Sequence, residues 1–114
     1  ELAMQYYSKA LDILSDQTDP HSAVEVSMLL GQVLNDAGRK EEASEQYIDA
    51  LVLAEANDFR MLEGEVLARL GEVESDRSQK MDYLQRSLSV FRELGAVDRM
   101  REVQNSVHRA VMGN

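Results

Sequence analysis

Apolar side chains recur along this chain at intervals of three and four residues, which is the spacing of amphipathic α-helices. The first such stripe contains Ala3, Tyr7, Ala10, Leu11 and Leu14. Five similar segments follow, separated by short polar or glycine-containing breaks. The pattern therefore predicts six antiparallel helices and no strand. The first five cover about residues 2–15, 20–37, 40–56, 59–75 and 79–94, and the last carries the stripe Met100, Val103, Val107, Ala110 and Val111.

Residues with specific backbone preferences mark the expected helix ends. Asp19–Pro20 is typical of an N-cap followed by proline at the first helical position. Gly38 and Gly95 are expected to end helices in the left-handed conformation. Asn57–Asp58 is a further break, and Asp98 is expected to cap the last helix.

Two stretches of the chain share one pattern at a spacing of 40 residues. Leu30–Gly31 recurs as Leu70–Gly71, and a helical set in the third helix is preceded by the same set in the first. These two sets are Ala43, Tyr47, Ala50, Leu51 and Ala3, Tyr7, Ala10, Leu11. A period between 20 and 50 residues is typical of solenoids, in which each unit buries its apolar face against its neighbours. The predicted fold class is all-α, an α-solenoid of antiparallel helix pairs.

The spacing of the repeated residues resembles the tetratricopeptide (TPR) signature, W-x2-L-G-x2-Y followed by A-x3-F. The matching residues are Ser27, Leu30, Gly31, Leu34, Ala43, Tyr47 and Ala50. Residues 24–57 are therefore similar to one repeat of this family, with a period longer than the usual one. The resemblance implies that residues 1–18 are the second helix of a preceding repeat. Residues 19–57 and 58–95 would then be two repeats, and 96–114 the first or capping helix of a following unit.

The second repeat follows the pattern less closely. Leu67, Leu70 and Gly71 fit, but its second helix aligns with that of the first repeat only at an offset of 37 residues. That offset matches Leu84 to Tyr47, Ser87 to Ala50 and Leu88 to Leu51. It predicts that the hairpin turn of the second repeat is about three residues shorter than that of the first. The expected buried set is Leu30, Leu34, Tyr47, Leu51, Leu67, Leu70, Leu84 and Leu88.

Gly31 and Gly71 fall in the middle of predicted helices, where each costs roughly 1 kcal/mol relative to alanine. We interpret both as positions where a paired helix approaches closely. The small residues Ala43, Ala50 and Ser87 are the expected partners. A phosphate-binding role is disfavoured because neither glycine lies in a glycine-rich loop after a strand.

Charge is distributed unevenly along the chain, whose net charge is −9. Residues 1–76 contain 17 acidic and 5 basic side chains, whereas residues 77–114 contain 4 acidic and 7 basic ones. The acidic part would repel phosphate backbones, so nucleic-acid binding is not expected. No run of apolar residues is long enough to span a membrane. We expect no leader before the repeats and a soluble, cytoplasmic protein.

Few residues suggest catalysis or metal binding. There is no cysteine, and the two histidines, His21 and His108, belong to different predicted units. A zinc site or a catalytic triad would therefore need an unexpected approach of distant side chains. We expect no enzyme activity, no catalytic residue, no metal and no cofactor.

Binding of a protein or peptide is the remaining expectation. In the family that the chain resembles, the first helix of each repeat lines a concave groove. The corresponding residues here are Glu25, Met28, Gln32, Asn35, Glu65, Ala68, Glu72 and Ser75, with Arg69 the nearest basic residue. Each set follows the spacing i, i+3, i+7, i+10 of one helical face. The resemblance implies an acidic groove of a scaffold or adaptor protein, suited to a basic or amphipathic peptide.

A structural or regulatory segment of a larger multidomain protein is the alternative. Such a segment would pack on other domains of its own chain or self-associate. The acidic first part and the basic last part suggest a head-to-tail contact between copies. Its expected apolar residues are Tyr6, Tyr7 and Leu14 at one end and Val103, Val107 and Val111 at the other.

Overall fold

A computed structural model describes Gln5, Lys9 and residues 19–113 of the chain. These residues form five helices and no strand, so the all-α class is confirmed. The helices are α1 (Pro20–Asp36), α2 (Lys40–Ala56), α3 (Arg60–Val73), α4 (Arg77–Leu94) and α5 (Val97–Val111). The helix predicted near residues 2–15 lies outside the described residues, except that Gln5 and Lys9 are both helical.

The chain divides into two compact units, Glu1–Phe59 and Arg60–Asn114. In the first unit, α1 packs against α2. In the second, α4 packs against both α3 and α5.

Most helix ends follow the local sequence signals. The side chain of Asp19 accepts a hydrogen bond of 3.3 Å from the backbone N–H of Ser22, and Pro20 is the first residue of α1. Gly38 and Gly95 have φ angles of 81° and 69°, as the predicted left-handed terminators require. Glycine adopts this conformation without the steric cost that a Cβ atom brings.

The predicted cap of the last helix is wrong. α5 begins at Val97, and no side chain caps it. Asp98 lies instead in the first turn, where its carboxylate is 3.7 Å from Arg101. The reason is that the helix starts directly after a tight turn, in which the N–H of Val97 donates to the carbonyl of Gly95, so that Ala96 takes the cap position.

The core of the first unit contains the residues predicted for it. Leu30, Leu34, Tyr47 and Leu51 are all buried. Gly31 lies under the ring of Tyr47, and a Cβ atom built at Gly31 would be 2.5 Å from Cε1 of that ring. The predicted close approach is therefore confirmed, although its partner is a large aromatic side chain.

The second unit shows the same contact with a different side chain. A Cβ atom at Gly71 would lie 2.5 Å from Cδ2 of Leu84, which the offset of 37 residues aligns with Tyr47. Close approach at Gly71 is confirmed, and here too a large side chain replaces the small partners that we expected. Leu67, Leu70 and Leu84 are buried as predicted.

Leu88 is only half-buried, so its predicted full burial is wrong. The neighbouring Ser87 occupies the buried position, and its Oγ donates a hydrogen bond of 2.7 Å to the carbonyl of Gly64. Because consecutive residues of a helix point about 100° apart, Leu88 faces away from α3. It packs at the edge of the cluster formed by Leu84, Phe91 and Val103.

The second repeat is shorter in its helix and not, as predicted, in its turn. Three residues separate α1 from α2, and three separate α3 from α4. However, α1 continues to Asp36, five residues beyond Gly31, whereas α3 ends at Val73, two residues beyond Gly71. The missing three residues therefore correspond to the last turn of α3.

The three valines that we predicted for a self-association surface differ in exposure. Val103 is 3% exposed and belongs to the core of the second unit, so its prediction as a contact residue is wrong. It is buried because α5 packs directly on α4. Val107 is half-buried and Val111 is exposed. Tyr6, Tyr7 and Leu14 lie outside the described residues.

Candidate functional site

An open groove of about 100 Å³ lies between α3 and α5 in the second unit. One wall comes from four of the residues that the sequence predicted for a groove, namely Glu65, Ala68, Arg69 and Glu72. They share a wall because their three- and four-residue spacing places them on one face of α3. Ser75 follows the end of α3 in an exposed turn and does not line this space.

Sequence reasoning missed the opposite wall, which α5 supplies. Its lining residues are Arg99, Glu102, Val103 and Ser106, and Phe91 of α4 lies between the two walls. Arg99, Glu102, Ser106 and Arg109 repeat the spacing i, i+3, i+7, i+10 of the stripes predicted on the earlier helices. Extending that spacing to the last helix would have identified them.

A second space of about 220 Å³ continues the groove toward the C-terminal ends of α3 and α5. Glu72 and Ser106 line both spaces, so the two are contiguous. We refer to them together as the α3–α5 groove. The additional residues of the second space are Gly71, Lys80, Leu84, Arg109 and Ala110.

Ion pairs occupy the first part of the α3–α5 groove. Nη2 of Arg99 is 3.1 Å from Oε1 of Glu65, and this contact joins the two walls. The same guanidinium places Nη1 3.9 Å from Oε1 of Glu102. On the α3 wall, Nη1 of Arg69 lies 3.3 Å from Oε1 of Glu72. The groove therefore contains charges of both signs, whereas the sequence prediction considered mainly the acidic residues of α3.

The second part of the groove is lined by two basic side chains. Nζ of Lys80 donates to the backbone carbonyl oxygens of Gly71 and Glu72, at 2.5 and 3.4 Å. Nη2 of Arg109 donates to Oγ of Ser106 at 3.1 Å. Both cations thus lie near the end of the groove that is farther from Glu65 along α3.

The residues predicted on α1 lie in the first unit. Glu25 is exposed, and its carboxylate is 3.5 Å from Nδ1 of His21. Nε2 of Gln32 donates a hydrogen bond of 3.0 Å to Asp36, and Met28 and Asn35 are half-buried. These partners lie within α1 itself.

Two groups outside the α3–α5 groove have shifted pKa values. Hydrogen bonds from the side chain and backbone of Ser22 lower the pKa of Asp19. The hydrogen bond to Glu63 and its negative charge raise the pKa of Arg60, to which Glu93 also contributes. Both shifts arise from ion pairing or capping at the start of a helix.

Within residues 19–113, no three histidine, aspartate or glutamate side chains come together in a way that could hold a metal ion. The two histidines lie in different units and have different surroundings. His21 contacts the ring of Phe59 edge-on, with 5.2 Å between the ring centroids, and His108 is exposed on α5. None of the helices in this described part combines the length and apolar character needed to cross a membrane.

No protein-family model matches the sequence, and a comparison with curated proteins finds no match. The tetratricopeptide resemblance therefore stays a prediction from the residues quoted above.

Proposed function

We propose that the chain is a non-catalytic interaction module that holds a segment of a partner protein in the α3–α5 groove. The observation that carries this proposal is that three members of the stripe predicted on α3 line one open groove with the four-residue stripe of α5. The half-buried Ala68 gives the groove an apolar surface, which the buried side chains of Phe91 and Val103 border. Interaction surfaces commonly combine such an apolar centre with a polar rim.

The open shape of the groove favours side chains of a polypeptide over a small-molecule ligand. Pockets for small molecules typically enclose most of the ligand. The two parts of this groove, of about 100 and 220 Å³, are both open. The first part can accept one or two side chains of a segment that continues along the surface.

The exposure of the charged groups also favours binding. The side chains of Arg99 and Glu102 are 50% and 68% exposed. General acid–base catalysis usually depends on a group that its surroundings have desolvated. Exposed charges are better suited to attract and orient the charged side chains of a partner.

A basic or amphipathic peptide is the partner class that follows from Glu65 and Glu72. Fluorescence anisotropy with a labelled peptide of lysines around a central leucine would test it. Glu65→Lys combined with Glu72→Lys should weaken binding and reduce its salt dependence, because exposed charges act over roughly 10 Å at 0.1 M salt. Glu25→Lys, added to this pair, tests the stripe on α1.

Asp82→Lys is the matched control, since Asp82 is an exposed acid of α4 outside the groove lining. It makes the same change of charge as Glu65→Lys or Glu72→Lys alone and should leave binding nearly unchanged. Equal weakening by Asp82→Lys and by either single groove variant would show only a general charge effect. No binding of the peptide at any salt concentration would contradict the proposed peptide class.

Exposed apolar residues favour a structural or regulatory segment as the second candidate. In the first unit Leu29 is 50% exposed and Val52 is 61% exposed. Ile48 lies one helical turn before Val52 and is also exposed. In the second unit, Val111 is exposed and remains available for the head-to-tail contact that we predicted.

Sedimentation over a hundredfold concentration range distinguishes the two candidates. A mass that rises with concentration would support packing against other copies, provided that Val111→Glu or Val52→Glu prevents the rise. A constant monomer mass together with peptide binding would support the interaction module.

A further inference from the structure

The charges of the α3–α5 groove are separated along its length. At the end near the start of α5, Arg99 is the single cation between two carboxylates, those of Glu65 and Glu102. In the middle, Arg69 and Glu72 form a pair of opposite charge. The first end therefore has one negative charge in excess.

The other end of the groove has a cation from α5. Arg109 lines it, and Glu72 is the one acidic residue that lines this second space. That carboxylate already has Arg69 beside it at 3.3 Å. Arg109 therefore supplies the positive charge of the second end.

Arg109 is the cation best placed to receive a carboxylate from a partner. Among the described residues it makes no ion pair, and its contact is the hydrogen bond to Oγ of Ser106. That bond uses one of the five N–H groups that a guanidinium carries, so most of its donors remain available. Arginine also has the planar geometry that binds a carboxylate through two parallel hydrogen bonds.

We propose that the α3–α5 groove selects a partner segment with opposite charges at its two ends. A basic side chain of the segment lies by Glu65 and Glu102, and an acidic side chain lies by Arg109. An apolar side chain between them contacts Ala68, which is half-buried in the α3 wall. This inference rests on the proposed interaction function and adds the charge order of the bound segment.

Charge order of this kind acts on specificity more than on total affinity. Each exposed ion pair contributes little, about 0.2–1 kcal/mol. A segment with like charges at both ends, however, gains one pair and places the other charge against a group of the same sign. The two effects together predict a preference of about fivefold for the segment of opposite charges, since tenfold corresponds to about 1.4 kcal/mol.

Three labelled peptides of equal length and with the same central leucine test the proposal by fluorescence anisotropy. The first carries lysines at one end and glutamates at the other, the second carries lysines at both ends, and the third carries glutamates at both ends. We expect the first peptide to bind about fivefold more tightly than either of the others.

Arg109→Glu is the critical variant. It should reverse the order so that the peptide with lysines at both ends binds best. Arg101→Glu is its matched control, because Arg101 lies on the same helix, is exposed and does not line the groove. The control should leave the order unchanged. Circular dichroism checks that each variant folds. Arg109→Gln, which should abolish the preference over the peptide with lysines at both ends without reversing it, serves if Arg109→Glu does not fold.

The outcomes separate this inference from the proposed function. If the all-lysine peptide binds as tightly as the peptide of opposite charges, and Arg109→Glu changes neither affinity, the inference is wrong and the interaction module stands. If none of the three peptides binds, the proposed function is overturned and the inference with it. A reversal produced equally by Arg101→Glu would also overturn the inference, because net charge would then explain it.

Discussion

The ring of Phe91 fills the space above Gly64, where a Cβ atom would lie 2.6 Å from Cε1 of the ring. The two repeats align at an offset of 40 residues in the first helix and 37 in the second. Gly64 is therefore equivalent to Val24, and Phe91 to Ala54. Val24 and Ala54 are both fully buried. One unit therefore has a large side chain on its first helix and a small one on its second, and the other unit has the reverse.

This exchange predicts compensation between two substitutions. Phe91→Ala should lower the free energy of unfolding by about 3–5 kcal/mol, because it leaves a cavity beside Gly64. Gly64→Val should also destabilise, by about 1–3 kcal/mol, because its side chain meets the ring. The double variant reproduces the pair Val24 and Ala54, and it should be more stable than Phe91→Ala alone. Urea unfolding followed by circular dichroism provides the measurement.

The sum of the two single effects is the reference for the double variant. Independent substitutions add to within a few tenths of a kcal/mol, whereas substitutions in contact do not. A double variant as unstable as this sum would show that the two pairs of positions are not equivalent.

A related prediction concerns Gly31 and Tyr47. Gly31→Ala gains about 1 kcal/mol of helix propensity. However, three ring atoms of Tyr47 lie within 2.8 Å of the new Cβ, and the ring is 1% exposed and cannot move into solvent. We expect a net loss of stability of about 1–2 kcal/mol from overpacking. Thermal unfolding provides the measurement.

Tyr47→Ala supplies the background that isolates this contact. Without the ring, Gly31→Ala should become neutral or stabilising, because only the propensity gain remains. The same stabilising effect in the presence of the ring would mean that Tyr47 shifts at little cost and that close approach does not explain the glycine.

Local signals explain why much of the fold was predictable. Pro20 can occupy a first helical turn without losing a backbone hydrogen bond, and Gly38 and Gly95 fit left-handed turns, so each acts through its own backbone. The cap at Asp98 was not predictable in this way. Whether Asp98 caps α5 depends on where the helix starts after Gly95, and the turn decides that position, not the aspartate.

The groove was predictable from one side only. Glu65 and Glu72 could be placed on one face of α3 by their spacing alone. Arg99 belongs to the site because α5 packs on α4 and brings the guanidinium to Glu65, and such a contact requires knowledge of helix packing. The incomplete burial of Leu88 is missed for the same reason, since it depends on how α4 turns Ser87 toward the carbonyl of Gly64.

Leu51 and Leu88 are equivalent in the repeat alignment but should respond differently to truncation. Leu51 is 8% exposed, whereas Leu88 is half-buried at the edge of a cluster. Leu51→Ala should cost about 2–5 kcal/mol, the range for buried leucines. Leu88→Ala should cost less, because its site borders solvent and leaves a smaller cavity. Urea unfolding of both variants compares them directly, and a larger loss for Leu88→Ala would contradict the burial that the structure shows.

Asp19 should make the stability of the chain depend on pH. The hydrogen bonds from Ser22 lower the pKa of this carboxyl in the folded state. A group with a lowered folded pKa stabilises the protein above its unfolded value of about 3.9, and it loses that contribution as the pH falls through the folded pKa. Asp19→Ala should therefore lower the melting temperature at about pH 7 and have a smaller effect at about pH 2.

Asp19→Asn separates the charge of this cap from its hydrogen bonding. Asparagine is also a good N-cap residue, and its amide does not titrate in this range. The difference in melting temperature between Asp19→Asn and Asp19→Ala should therefore change little between about pH 7 and about pH 2, whereas the difference between wild type and Asp19→Ala should shrink. Circular dichroism melts of the three proteins across this range provide the test. A difference between wild type and Asp19→Ala that stays constant down to the lowest pH would show that protonation of Asp19 does not weaken the cap of α1.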